Sequence, residues 1–272
     1  MDKKISFNFK QLILNLRKFI ENSKRRFLEE ISTGTYVAKE SCEDNVDPRL
    51  VVYADPKSHV AEQYRIMRTN IKSLSPDKNV KSIVFTSSLR GEGKTLTSSN
   101  ISFSFSQEPD KKVILVDADL RRPGVHKIFG IEKEPGLSEI LTGQEDIKKF
   151  IQSPRFKGLY IIPSGATPPN PSELLGSKKM KEILEVLKEN FDYIFFDTAP
   201  IIPVTDAGVL GSLCDGVILL VKAGFTGALD VERAYSLIKE AGATPLGAIL
   251  TGVVNYIPYY LYRYRYIYVH KY

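Results

Sequence analysis

The sequence predicts an α/β fold in which a doubly wound, mostly parallel sheet is flanked by helices. Six short apolar runs rich in β-branched residues follow one another after Val80: KSIVFTSS, KVILVDAD, LYIIPSG, YIFFDTAP, GVILLVKAG and PLGAILTGVV. Uninterrupted apolar runs of this length mark parallel strands, which are covered on both faces and have no polar side to show. The stretches between them, such as SELLGSKKMKEILEVLKENF and ALDVERAYSLIKEAG, read as crossover helices. A chain of 272 residues is long enough for one large domain of this kind and too short for several independent catalytic domains.

In chain order, residues 1–31 place Ile5, Phe9, Leu12, Leu16, Ile20, Phe27 and Ile31 in one helical stripe, with Lys3, Lys10, Arg17, Lys18, Lys24 and Arg25 elsewhere. This is a basic amphipathic helix or helix pair, suited to packing on its own domain, on a partner or on a membrane surface. Residues 32–55, with Gly34 and the acidic run ESCEDNVD, read as a flexible linker. The main domain is expected over residues 56–255. It opens with a helix from His59 to Leu74 whose apolar stripe is Val60, Tyr64, Met67, Ile71 and Leu74, leaving Glu62, Arg65 and Arg68 on the other side. Residues 256–272 form a tail carrying eight of the fourteen tyrosines. Tyr260, Tyr262, Tyr264, Tyr266 and Tyr268 alternate as on one face of an edge strand, yet the same spacing also presents phenols one after another along a flexible tail.

The net charge of +6 is concentrated at the two ends of the chain, which reads as interaction surface. Nucleic acid is not expected, because no zinc-finger spacing or ribonucleoprotein motif accompanies the charge. Cys42 and Cys214 are isolated and suggest neither a disulfide framework nor a zinc site, in keeping with a reducing cytoplasm. No apolar run approaches the ~18–20 residues of a membrane-spanning helix, and the charged start lacks a signal-peptide core. The expectation is a cytoplasmic protein that does not cross a membrane by itself.

The chemistry begins where the first strand runs into SSLRGEGKTLTSSN. In a strand, loop and helix context, backbone N–H groups of Leu89, Arg90, Gly91, Glu92, Gly93, Lys94, Thr95 and Leu96 would wrap a nucleotide's phosphates. The glycines allow close approach and the helix start points its positive end inward. Lys94 would neutralise the β and γ phosphates of ATP and the Thr95 hydroxyl would ligate Mg2+. The strict pattern wants glycine at position 88, where this chain has Ser88. Asp117 and Asp119 close the second strand and Asp197 the fourth, at the strand ends where open α/β sheets bind ligands. Carboxylates beside magnesium are what phosphoryl transfer requires: some orient the ion, another accepts a proton from the attacking hydroxyl. The fold is therefore P-loop NTPase-like.

These residues resemble the bacterial tyrosine autokinases that regulate capsule and exopolysaccharide synthesis. The resemblance runs from about Pro56 to the C-terminus, through EQYRIMR, SSLRGEGKT, VILVDADLRRP, PPNPSELL, FDYIFFDTAP and the tyrosine tail. Partition and division-site ATPases share the class, but their loop has a lysine where this chain has Leu89 and they lack such a tail. The resemblance implies a protein-tyrosine kinase with Asp119 and Asp117 as base and metal-positioning acid, Asp197 completing the magnesium site, and Lys94 on the phosphates. Arg121 and Arg122 either stabilise phosphate charge or are solvated. Asn255 is either an adenine contact or a turn residue. Glu62, Arg65 and Arg68 match a motif implicated in ring formation. The tail tyrosines Tyr256, Tyr259, Tyr260, Tyr262, Tyr264, Tyr266, Tyr268 and Tyr272 are implied autophosphorylation sites, used in trans within the ring. Further implied partners are a transmembrane activator that recruits the kinase to the inner face of the membrane, a cognate tyrosine phosphatase, and sugar-nucleotide enzymes as substrates.

Overall fold

The computed structural model describes residues 45–74, 80–143, 147–152 and 156–253. The amphipathic segment 1–31, most of the expected linker, Asn255 and the whole tyrosine tail lie outside the described residues. All six apolar runs form strands: β1 (Ser82–Ser87), β2 (Val113–Asp117), β3 (Leu159–Ile162), β4 (Tyr193–Asp197), β5 (Gly216–Lys222) and β6 (Pro245–Thr251). They make one sheet in the order β3-β2-β4-β1-β5-β6, parallel at every pairing. The chain winds from β1 outward to β3, returns to place β4 between β2 and β1, and then winds the other way. This reversal sets the loop after β1 beside the carboxyl ends of β2 and β4, the place where such sheets bind ligands.

Alternation along the strands divides the core into two layers. Val84, Ile114, Val116, Ile194 and Phe196 face one side, against Met180, Ile183, Leu184 and Leu187 of a helix (α7, Lys178–Asn190) and Val231, Ala234 and Ile238 of another (α9, Ala228–Glu240). Ile83, Phe85, Val113, Leu115 and Phe195 face the other, against Ile101, Phe103 and Phe105 of α3 (Lys94–Ser106). Each such side chain contributes roughly 1.5–3 kcal/mol by leaving water. The expected helix after His59 is α2 (His59–Ser73), started by Ser58, whose hydroxyl accepts the Ala61 N–H at 3.1 Å. Short α4 (Val125–Phe129), α5 (Leu137–Thr142) and α8 (Asp206–Gly211) complete the main connections. The expected crossover SELLGSKKMKEILEVLKENF is two helices, α6 (Pro171–Leu175) and α7. Ser177 is extended and accepts the Met180 N–H at 3.2 Å, so it caps a new helix instead of continuing the old one.

The linker expectation needs correction from residue 45 onward. Val46, Leu50, Val51 and Val52 are buried, and α1 (Val51–Ala54) packs on the sheet's helical cover. Asn100 of α3 accepts the Val52 N–H at 3.2 Å and donates to the Arg49 carbonyl at 3.1 Å, while Tyr53 meets Phe156 edge-on at 4.8 Å. The apolar run LVVY supplies the burial that a linker lacks, so the packed body begins ahead of Pro56. Among the described residues no helix is long and apolar enough to cross a membrane.

Candidate active site

The loop from Ser88 to Lys94 turns on Gly91 (φ 80°) and Gly93 (φ 87°), left-handed positions that an L side chain rarely adopts. Gly93 is also the residue from which α3 starts, so the helix N-terminus opens directly onto the loop. Lys94, at the first position of α3, is 8% exposed and stands beside the acids. Thr95 donates its hydroxyl to Asp197 Oδ2 at 2.6 Å, and Gly124 lies against Thr95 so closely that a Cβ there would sit 3.1 Å from its methyl.

Asp117 and Asp197 stand opposite each other in the β2–β4 register, both fully buried. One oxygen of each is engaged: Asp117 Oδ2 accepts the N–H groups of Gly124 (3.1 Å) and Val125 (3.0 Å), and Asp197 Oδ2 accepts Thr95. The other oxygen of each, Oδ1, is buried with no partner. Burial pushes the Asp117 carboxyl well above the usual range, with the Asp197 charge adding to it, and burial pushes Asp197 up to about 7 against the pull of Lys94. Asp119, 7% exposed, is also raised by burial, while the Arg122 N–H (3.0 Å) and Lys94 draw it back. Two orphaned buried carboxylate oxygens beside a threonine hydroxyl fit a hard divalent cation that takes its remaining oxygens from phosphate and water. Among the described residues no cluster of three or more His, Cys, Asp or Glu could hold a metal ion.

The comparisons with known proteins agree with this fold. Residues 80–244 match a family model described as an AAA domain. Over 203 residues the chain is 40% identical to the tyrosine-protein kinase YwqD of Bacillus subtilis strain 168, an alignment covering 75% of this chain and 85% of that one. The chain belongs to the bacterial tyrosine-protein kinases. The solved kinase domain of the Escherichia coli tyrosine kinase ETK superposes on it with a TM-score of 0.74 at 31% identity, covering 85% of this chain and 88% of that chain. The chimerical protein CapA2B2 does so with a TM-score of 0.71 at 33% identity, covering 75% and 89%.

In this tyrosine kinase the loop after β1 does not leave open every backbone N–H that the sequence suggests. The Leu89 N–H is taken by Glu92 Oε2 at 2.7 Å, so it is withdrawn from the set expected to face phosphate. Arg90 is exposed and Leu96 half-buried at the start of α3. Arg121 is not free: its Nε and Nη2 grip Asp206 at 2.7 and 3.1 Å, and Nη2 also donates to Ser172 Oγ at 3.2 Å. Asp206 is fully buried and takes the Ser172 hydroxyl as well. Ser172 on α6 thus ties the PPNPSELL segment to Arg121, two residues after Asp119. Sequence reasoning missed Asp206, because an acid opening a short helix looks like any other helix-start residue. Arg122 is exposed.

The expected ring motif divides. Glu62 is exposed and pairs with Arg65 at 2.8 Å, whereas Arg68 turns inward, donating to the Ser104 carbonyl and lying 3.4 Å from Glu108. Arg68 therefore serves α2–α3 packing within one subunit. Asn255 and the tail tyrosines lie outside the described residues.

Proposed function

We propose that this kinase transfers the γ-phosphoryl group of magnesium-ATP to tyrosines of its own tail, between subunits of a ring. The observation that carries the reading is the pair of orphaned buried oxygens on Asp117 and Asp197, set beside Thr95 and Lys94. Mg2+, when bound, would neutralise phosphate charge; Thr95, Asp117 and Asp197 are the residues that would hold it. Gly91, Glu92, Gly93 and Thr95 would offer N–H groups to phosphate and Lys94 its charge, with Asn255 at the adenine.

The phenol oxygen of a tail tyrosine forms its bond to the γ-phosphorus as the bond to the β–γ bridging oxygen breaks, ADP leaving. The phenolic proton passes to Asp119, whose raised carboxyl narrows its gap from a phenol of pKa ~10. The gap still makes proton transfer late, so alignment and charge neutralisation supply most of the rate.

The tail residues Tyr256, Tyr259, Tyr260, Tyr262, Tyr264, Tyr266, Tyr268 and Tyr272 are the acceptors. Each phosphate adds about −1.5 to −2 charge, turning the basic tail acidic and loosening the ring. The exposed Glu62 carboxylate on α2, with the half-buried Arg65 paired to it, supports a contact between subunits. Membrane recruitment by a transmembrane activator, a cognate tyrosine phosphatase, sugar-nucleotide enzymes as external substrates and a role in capsule or exopolysaccharide synthesis complete the reading. The relationship to the tyrosine-protein kinase YwqD supports the kinase activity on which these roles rest.

Mixing tests the trans step. A Lys94→Met full chain is incubated with a catalytically intact chain ending at Asn255, magnesium and ATP, together with the activator's cytoplasmic segment. Phosphotyrosine on the tail of the Lys94→Met chain is expected. ATP turnover with no labelled tyrosine would replace this reading with an ATPase switch of the partition type.

A further inference from the structure

Glu92 is an unusual occupant of a phosphate loop, because it lies between two glycines and is fully buried. Its Oε2 accepts the Leu89 N–H at 2.7 Å, closing the loop on itself. Its Oε1 accepts the hydroxyl of Thr226, a fully buried residue in the loop between β5 and α9. That hydroxyl in turn accepts the Lys222 N–H at 2.9 Å. The main chain is held from the same side: Thr251 at the end of β6 donates to the Glu92 carbonyl at 2.8 Å, and Lys222 Nζ to the Gly91 carbonyl at 3.2 Å.

We propose that Glu92 is a positioning residue for nucleotide, latching the phosphate loop through Thr226 to the loop that follows β5. The proposal rests on the nucleotide reading given above. Gly91 and Gly93 give the loop the left-handed bends it needs, but glycine leaves the backbone free to wander. An array of N–H groups that is already ordered binds phosphate without a further loss of conformational entropy on binding. The carboxylate supplies that order by joining two separate segments, the first turn of the loop and the β5–α9 loop, while the main-chain carbonyl of Glu92 is held independently by Thr251 at the end of β6. Glu92 touches no phosphate with its side chain and acts through the backbone on either side of it.

The competing account is that Glu92 only packs. The two differ in what Thr226 does to nucleotide affinity in a protein that is still folded. Fluorescence titration with N-methylanthraniloyl ADP and magnesium, on the full chain and well below its melting temperature, reads this directly. Thr226→Val and Glu92→Ala should each weaken binding by about 10-fold or more, the worth of a buried charge-assisted hydrogen bond. The double variant should be no weaker than the worse single variant, because both remove one contact. Thr226→Ser keeps the hydroxyl and with it the contact, so it should stay within about 3-fold of the parent. If Glu92→Ala does not fold, the Thr226→Val and Thr226→Ser pair decides. Thr226→Val binding within about 2-fold of the parent, or losses that multiply in the double variant, overturns the latch. A parent chain that binds no nucleotide overturns the nucleotide reading and the latch with it, whereas a binding parent with unaffected variants overturns the latch alone.

Discussion

Aspartates sit at both ends of the sheet, and the protein treats them in opposite ways. At the amino ends, Asp215 takes the Lys81 and Ser82 N–H groups at 2.9 and 2.8 Å, and Asp192 takes the Lys112 N–H and the Lys111 ammonium, both at 2.9 Å. Although burial works against Asp215, the Ser82 and Lys81 N–H groups hold it below the usual carboxylate value, and the Lys112 N–H and Lys111 do the same for Asp192. At the carboxyl ends, Asp117 and Asp197 each keep a buried oxygen without a partner and are raised. The amino-end acids are satisfied and fasten strand to strand. The carboxyl-end acids are left wanting charge, the pattern that marks a candidate ligand site.

The sharpest way to break this contrast is on the charge that faces the acids. Lys94→Met should lower phosphotyrosine formation by about 10²- to 10³-fold, the usual cost of losing one preorganised charge at a transition state. Asp117→Asn comes next. It should abolish the rise in melting temperature that magnesium-ADP confers, while the ligand-free protein melts no lower at pH 8, because one of two facing buried charges is gone. Scanning calorimetry with and without ligand reads both quantities. Asp215→Ala should do the reverse. It leaves two backbone N–H groups unpaired at a cost of about 1–3 kcal/mol, and each kcal/mol lowers the melting temperature by about 2–4 °C in a domain of this size. Phosphotyrosine formed per folded molecule should hold.

The pH dependence sharpens the comparison further. Asp197 is raised from 3.8 to about 7, so the ligand-free folded state holds a proton that the unfolded chain has released. Its contribution to stability is present below pH 3.8 and is lost progressively as pH rises through about 7. A magnesium complex needs the carboxylate, so its stabilising increment runs the other way and should be smaller at pH 6 than at pH 8. The smallest effect is expected at Asp192, whose ion pair with Lys111 is partly exposed. Asp192→Ala should cost no more than about 1 kcal/mol in urea unfolding.

The sheet was legible because every strand is buried on both faces and therefore reads as one apolar run. The helices α2, α7 and α9 each have a wet side, and their period showed. By contrast α3 has no wet side: lying between the sheet and α1–α2, it buries Ser98, Ser99, Ser102, Ser104 and Ser106 alongside its phenylalanines, so a serine-rich sequence conceals a core helix. Ser102 and Ser106 return their hydroxyls to the Ser98 and Phe103 carbonyls at 2.7 and 2.9 Å, which satisfies them within the helix. Asp117, Asp119 and Asp197 were legible from their place after apolar runs. Glu92, Thr226 and Asp206 were not, since their roles depend on partners 34 to 134 residues away. The inward turn of Arg68 was hidden for the same reason, with its acceptor 36 residues on.

The most direct measurement is phosphotyrosine mapping by mass spectrometry after incubation with magnesium and ATP, comparing the parent chain, Asp119→Asn and Asp215→Asn, each with the activator's cytoplasmic segment present. Tail phosphotyrosine is expected from the parent and from Asp215→Asn, and about 10²-fold less from Asp119→Asn. Tail labelling by Asp119→Asn at the parent's level would contradict the account, because the acceptor of the phenolic proton would then lie elsewhere.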